Sequence, residues 1–264
     1  MASDATIVER DGGLVVVTFN RPQKKNALNT ANWHDLDQVL GEVETDPADR
    51  ALVLTGAGGN FSSGADLTGG DALGLTGHGL QPILHEMRAV GRIISRLQKL
   101  PKPTVAAVDG HAVGVALGLV LACDLVIASS RAQFTEIFVK RGLALDGGSS
   151  WSLPRQIGHR RAKQMTFFGD PVDAQTALDW GLVNEVVSPE DLLPTANAWG
   201  RRLAAGPTTA LSLIKKLLES GDDSSFDDAI ENEARAQHIT YTTSDMKEGI
   251  KAFMERREPD FKGV

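Results

Sequence analysis

Two hydrophobic rhythms run along the chain, and the change between them divides it. Residues 15–20 read VVVTFN, a β-branched run that predicts a strand ended by Arg21-Pro22. Residues 30–44 follow a helical period, with Trp33, Leu36, Leu40 and Val43 on one face. ALVLTG (51–56) has the length and continuity of a fully buried strand. Residues 80–100 return to the helical period through Leu84, Met87, Gly91, Ile94 and Leu97. PKPTVAAVDG (101–110) is a proline-bounded strand. HAVGVALGLVLACD then reads as a loop feeding a helix apolar on every side, which predicts burial. LVIAS (125–129) is a further strand. From about residue 148 helical segments follow one another, and only NEVV (184–187) reads as extended. Strand–helix alternation with helices behind it is the pattern of an α/β fold. TGGDALGLTGHG (68–79) carries five glycines and no period, which predicts a loop over a site.

Composition narrows this picture. At 264 residues and 42% hydrophobic, the chain can bury the core of one large domain, or of one domain with a helical appendage. A net charge of −7 argues against a nucleic-acid surface. The single cysteine, Cys123 in GLVLACDLV, excludes an intrachain disulfide framework and reads as a buried packing thiol. MASDATIVERDGG at the start lacks the apolar core of a targeting peptide, and no 18-residue apolar stretch exists, so no membrane span and a cytoplasmic location are expected. With no CxxC, no HExxH and no paired histidines, no metal site is expected.

Candidate chemistry lies in three loops. TGAGGNFSSGADL (55–67) fails as a dinucleotide fingerprint, because Phe61 stands where the third glycine is needed and no Walker lysine is present. DGHAVGVALG (109–118) has the same build: a strand ends, glycine opens the turn, and small residues start a helix. Both could be ordinary strand-to-helix turns. If their bare backbone N–H groups converged, they would make an oxyanion hole. The third loop, GLALDGG (142–148), sets Asp146 between an apolar triplet and a glycine pair. Apolar walls raise the free energy of a charge, so such an acid is paired or used. Capping of the SSWSL helix is the structural alternative.

NRPQKKNAL (20–28), GAGGNFSSGADL (56–67), DGHAVGVALGLVLACDLVIAS (109–129), ALDWGLVNEVV (177–187) and FMERREPDFKG (253–263) resemble, in order and spacing, the enoyl-CoA hydratase/isomerase (crotonase) superfamily. The resemblance runs from about residue 6 to the C-terminus. It implies a spiral of ββα units over residues 1–200 and a helical oligomerisation region over 201–264, forming a homotrimer or hexamer. It implies an acyl-CoA thioester as substrate and no separate cofactor. It places the oxyanion N–H groups at Ala65 and Val115, flanked by Ser63, Gly64, Leu67 and Gly114. It makes Asp66 a turn-fixing acid. For CoA it offers Lys24, Lys25, backbone near Ala27, and Phe253 and Arg256 reaching a neighbouring subunit's ligand.

Hydratases of the family use two glutamates, since adding water needs one group to activate it and another to protonate Cα. Those positions fall here on Gly118 and Phe138. Glu136 is two residues from the second and reads as a structural or rim acid. Relatives with G-x-x-P-D-x-G at residues 142–148 resemble enoyl-CoA isomerases, in which the aspartate is the base; this chain has Leu145 at the proline position. The favoured expectation is a double-bond shift with Asp146 as base, walled by Phe138 and Leu145. A weak hydratase, a non-catalytic acyl-CoA binder, and an aryl-CoA dehalogenase using Asp146 as nucleophile with His78 or His85 remain alternatives. His111 reads as a local packing or hydrogen-bonding residue.

Overall fold

In the computed structural model the described residues are 4–68, 80–221 and 223–264, with residues 80–82 described in backbone alone. Apart from Thr68, the glycine-rich loop expected over the site, and His78 within it, lie outside the described residues.

The elements in chain order begin with strands β1 (Thr6–Asp11) and β2 (Leu14–Phe19), helix α1 (Thr30–Thr45), β3 (Ala51–Gly56), α2 (Leu80–Gln98) and β4 (Thr104–Val108). There follow β5 (His111–Val113), α3 (Val115–Leu121), β6 (Leu125–Ser129), β7 (Gln133–Thr135), α4 (Ser149–Phe168), β8 (Val172–Asp173), α5 (Ala174–Trp180) and β9 (Glu185–Val187). Helices α6 (Leu192–Ala204), α7 (Thr208–Gly221), α8 (Phe226–Thr240) and α9 (Ser244–Glu255) complete the chain. One sheet has the order β1-β2-β3-β4-β6-β9 and the other β5-β7-β8. The β1–β2 pair is antiparallel, and every other pair in the larger sheet is parallel.

Parallel strands are buried on both faces, which is why ALVLTG and TVAAV read as unbroken apolar runs. Period-two geometry sends alternate residues to opposite sides. Val15, Val17, Leu52, Leu54, Ala106 and Val108 join the main core with Leu36, Leu40 and Val43 of α1. Leu14, Ala51, Val53, Val105, Ala107 and Ile127 face the other way, onto Leu192, Ala196 and Ala204 of α6. Helix α6 lies close to the sheet because Gly200 has no side chain: a Cβ there would stand 2.7 Å from Leu14 Cδ1 and 3.0 Å from Val53 Cγ2.

The smaller sheet was invisible in the apolar pattern. Strands β5, β7 and β8 are three, three and two residues long, too short to show a period. Strand β1 escaped for another reason: it is an edge strand whose residues, apart from Thr6, are not fully buried. The small sheet matters for the site, because β5 pairs with β7 and so ties the turn before α3 to the segment that carries Glu136. Helix α4 is kinked at Gly158, which is non-helical at φ +78°.

Candidate active site

Residues 20–28 fold around Asn26, which is 1% exposed and sits at φ +54°. Its side-chain amide donates to the carbonyls of Ala57 (2.8 Å) and Asn60 (2.6 Å), and its Oδ1 accepts from the Arg21 N–H at 2.8 Å. Asparagine tolerates the left-handed region better than most residues, and here its side chain supplies bonds that the turn's backbone lacks. Arg21 completes the clamp by donating to the Ala27 carbonyl (2.5 Å) and pairing with Asp66 at 2.7 Å. The Asp66 carboxyl is held well below the usual carboxylate range by hydrogen bonds from Thr68 and Arg21. Asp66 therefore ties down the turn. Arg21 and Asn26, unlike the lysines beside them, drew no attention in the sequence; their signal was a buried polar side chain, which only the fold reveals.

The clamp sets one backbone donor. Leu28 N–H donates to the Gly64 carbonyl (2.8 Å) and Asp66 N–H donates to the Leu28 carbonyl (2.9 Å), a parallel bridge between Leu28 and Ala65. In such a bridge the residue between the two bonds turns its own N–H away from the partner strand. Among the described residues, the Ala65 N–H has no acceptor.

A second donor lies behind it. Gly64, at φ +94°, approaches the turn before α3 so closely that a Cβ would stand 2.8 Å from the Val113 carbonyl oxygen. Gly114 adopts φ +55°, ψ −125°, a conformation open to glycine, and Val115 begins α3. The first N–H groups of a helix have no intrahelical acceptor, so Val115 presents a free amide beside the first turn. The ring of Phe138 packs beneath, 3.4 Å from where a Gly114 Cβ would be.

The third loop closes the site. A Cβ on Gly118 would lie 2.6 Å from the Gly147 carbonyl oxygen and 2.9 Å from its Cα, so α3 and the Asp146 loop are in backbone contact. Gly147 also lies in ordinary contact with Val115, with 3.6 Å between its Cβ position and the Val115 Cα. Asp146 stands next to this contact. It does not cap α4: Gly148 occupies the cap position with no side-chain bond, and only the Asp146 backbone carbonyl accepts, from Ser149 N–H at 3.1 Å. The Asp146 Oδ1 is buried without a partner, and burial pushes its carboxyl up to about 6.

Ala65, Val115 and Asp146 line one cavity of about 590 Å³. Its inner wall is apolar, from Leu28, Trp33, Met87, Ala89, Val90 and Ile93, and Lys24, Asn29, Thr30, Asp66 and Thr68 also border it. Lys24 Nζ bonds Thr68 at 2.8 Å and lies 3.4 Å from Asp66. Lys25 is exposed on the same turn. Ala27 is buried under the Arg21 clamp, Ser63 Oγ donates to the Lys24 carbonyl at 3.3 Å, and Leu67 is exposed beyond the turn. Glu86 on α2 also lines the cavity and was missed in the sequence, because it sits on the polar-reading side of an amphipathic helix.

Other expectations end differently. Glu136 is not a rim acid. It is 0% exposed, and burial, together with the nearby Asp146 charge, pushes its carboxyl up to about 8. It lies two residues after the fully buried Phe134, so the alternation of β7 carries both to the inner side before the chain passes into a 3-10 turn (Ile137–Arg141). Phe138 and Leu145 do not border the cavity; Phe138 supports the Gly114 turn instead. Phe253, 85% exposed, and Arg256, at the end of α9, are not brought to the cavity of their own chain. His85 is exposed on α2 and does not line the cavity. His111 is held below its usual range by burial and by Lys25. Cys123 is buried, with its thiol pushed up to about 12, and is inert at neutral pH. Among the described residues, no group of three or more metal-ligating side chains forms, and no helix is long and apolar enough to cross a membrane.

The Gly118 contact yields a prediction. Gly118→Glu is expected to lower stability by about 1–3 kcal/mol, the usual cost of overpacking, and to displace the Asp146 loop without creating hydratase activity. Thermal denaturation and a crotonyl-CoA assay check both parts.

A family model described as enoyl-CoA hydratase/isomerase matches residues 9–264. A 1,2-epoxyphenylacetyl-CoA isomerase of Escherichia coli is 37% identical over 251 residues, covering 95% of each chain. A probable enoyl-CoA hydratase of Rhodobacter capsulatus is 38% identical over 251 residues, again covering 95% of each. Among solved structures, a putative enoyl-CoA hydratase of Streptomyces coelicolor superposes with a TM-score of 0.94 at 33% identity, covering 98% of this chain and 94% of that one. A cavity bordered by two unpaired backbone amides and one destabilised carboxylate, in this fold and with these relatives, makes the chain an acyl-CoA-processing member of the enoyl-CoA hydratase/isomerase (crotonase) family.

Proposed function

We propose that the protein shifts the double bond of an enoyl-CoA thioester through an enolate. Asp146, ionised, takes a proton from Cα of a 3-enoyl thioester. The C–H electron pair moves into the conjugated system, and negative charge collects on the thioester oxygen. That oxygen accepts hydrogen bonds from the Ala65 and Val115 N–H groups. Asp146 then delivers the same proton to Cγ, leaving a conjugated 2-enoyl thioester and a restored carboxylate. No water is added and no second acid is needed.

The observation that carries this reading is the contact between Gly118 and Gly147. A glutamate at 118 would need the space that the Asp146 loop fills, while Phe138 is committed to packing under Gly114. The apolar wall from Trp33 to Ile93 suits an acyl chain, and Lys24 and Lys25 supply cations for the CoA phosphates. The C-terminal helices support self-association: Leu213, Ile214, Leu217 and Ile250 line an apolar groove of about 640 Å³ on α7–α9. In such an assembly Phe253 and Arg256 would reach a neighbour's ligand.

One observation favours a second reading. Glu86 borders the same cavity as Asp146, and two carboxylates are what hydration requires. The purified protein is therefore given crotonyl-CoA and a 3-enoyl-CoA in parallel. Isomerisation should exceed hydration by a wide margin. Fast hydration that persists in Asp146→Asn and is lost in Glu86→Gln would replace the isomerase reading, and tight binding of both thioesters with no turnover would replace it with a non-catalytic binder.

A further inference from the structure

We propose that Glu136, Ser149 and Asp146 form a relay that shares one proton behind the cavity, with Glu136 as a neutral residue that positions Asp146. The proposal rests on Asp146 being the base, and it assigns work to a buried acid that the isomerisation scheme leaves unused.

The four buried oxygens concerned are Glu136 Oε1 and Oε2, Asp146 Oδ1 and Ser149 Oγ. Among the described residues, they account for every buried side-chain N or O atom without a hydrogen-bond partner except Asn197 Oδ1. Glu136 and Ser149 are both 0% exposed. Ser149 is joined to Asp146 by a backbone hydrogen bond of 3.1 Å, and its hydroxyl lies near enough to the Glu136 carboxyl to favour the charged form without making a well-formed bond to it. Three orphaned groups are thus linked, Glu136 to Ser149 and to the Asp146 charge, and Ser149 to Asp146 through the backbone, where native structures otherwise satisfy nearly all such atoms.

One added proton resolves the conflict. Two ionised carboxylates would be acceptors only, leaving a single serine proton for both. A protonated Glu136 becomes a donor: its O–H points to Ser149 Oγ, and the serine O–H is free to point to Asp146 Oδ1. The pair then carries one negative charge, placed on the member that borders the cavity. Like-charge pairs in low dielectric separate in this way into an acid and a base. Among the described residues, no cation opposes the arrangement. Of the charged groups on the packed elements, Lys140 is 2.6 Å from Asp170, Arg141 reaches back to the Lys140 carbonyl, and only the Asp146 charge acts on Glu136.

The relay gives the reaction a second pH limit. When Glu136 ionises, Ser149 turns its proton toward the new charge, and Asp146 loses its donor beside a like charge. Activity should therefore fall above about pH 8, as well as below about pH 6.

The test joins carboxyl NMR to kinetics. In protein labelled with ¹³C at glutamate side chains, one resonance should titrate near 8 rather than 4.5, vanish in Glu136→Gln, and move to lower pH in Asp146→Asn, where the like charge is gone. The alkaline limb of kcat/KM should disappear in Glu136→Gln. Titration of Glu136 in the ordinary range, no response to Asp146→Asn, or an alkaline limb retained in Glu136→Gln would each overturn the relay. The spectroscopic arm needs no turnover, so loss of the isomerase reading, seen as full activity in Asp146→Asn, stays distinguishable from loss of the relay. The wild-type and Asp146→Asn spectra also suffice should Glu136→Gln fail to fold.

Discussion

Asp146→Asn is expected to lower turnover of a 3-enoyl-CoA by about 10²–10⁴-fold, the usual contribution of a positioned general base. Asparagine keeps the shape and the neighbours but cannot hold a proton in transit. The wild-type profile should show the base being lost as pH falls through about 6, where Asp146 takes up its proton. Stability should move the other way. Burial raises the folded-state carboxyl above its ordinary 3.8, so between that value and about 6 the folded chain binds more protons than the unfolded one, and stability falls as pH rises. The neutral amide avoids this penalty, so the variant should melt at the same temperature as the wild type or higher at pH 7. A variant that loses activity because it unfolds would contradict the assignment, and pH-resolved kinetics with calorimetry separate the two.

Val115→Pro is the second large effect. Proline removes an N–H that α3 does not use and replaces a buried side chain by one of similar size, at the first helical position, where proline is best tolerated. The fold should survive, with α3 intact by circular dichroism. The enolate oxygen would lose one of its two donors, and loss of one such donor costs about 10²–10³ in kcat. Val115→Ala is the control: it trims the side chain, keeps the amide and should retain most turnover. Equal losses in both variants would show that the side chain, not the backbone, matters at this position.

The central strands of the larger sheet were legible because they are buried on both faces and therefore appear as runs of Val, Leu and Ala. The small sheet was not, since three residues such as QFT carry no period and owe their conformation to tertiary pairing. The turns at 64–65 and 114–115 could be read as glycine followed by small residues. That Ala65 and Val115 line one cavity could not, because it depends on the Leu28–Ala65 bridge, a contact across 37 positions. Asp146 was conspicuous by its apolar neighbours. Glu136 read as a structural or rim acid; its burial follows from sharing a strand face with Phe134, and which face is inner is set by the pairing of β7 with β5, which three residues cannot announce.

The meeting of Gly118 with Gly147 carries a consequence for how such enzymes diversify. The Gly147 backbone excludes a side chain at 118, so the position that would bear one reaction's acid and the loop that would bear the other's compete for a single volume. A chain moving stepwise from one chemistry to the other must pass through a form with both or with neither, and each is penalised, the first by crowding and the second by inactivity. Branches separated by such a barrier should drift freely in chain-length preference along the Trp33–Ile93 wall while rarely exchanging reaction type.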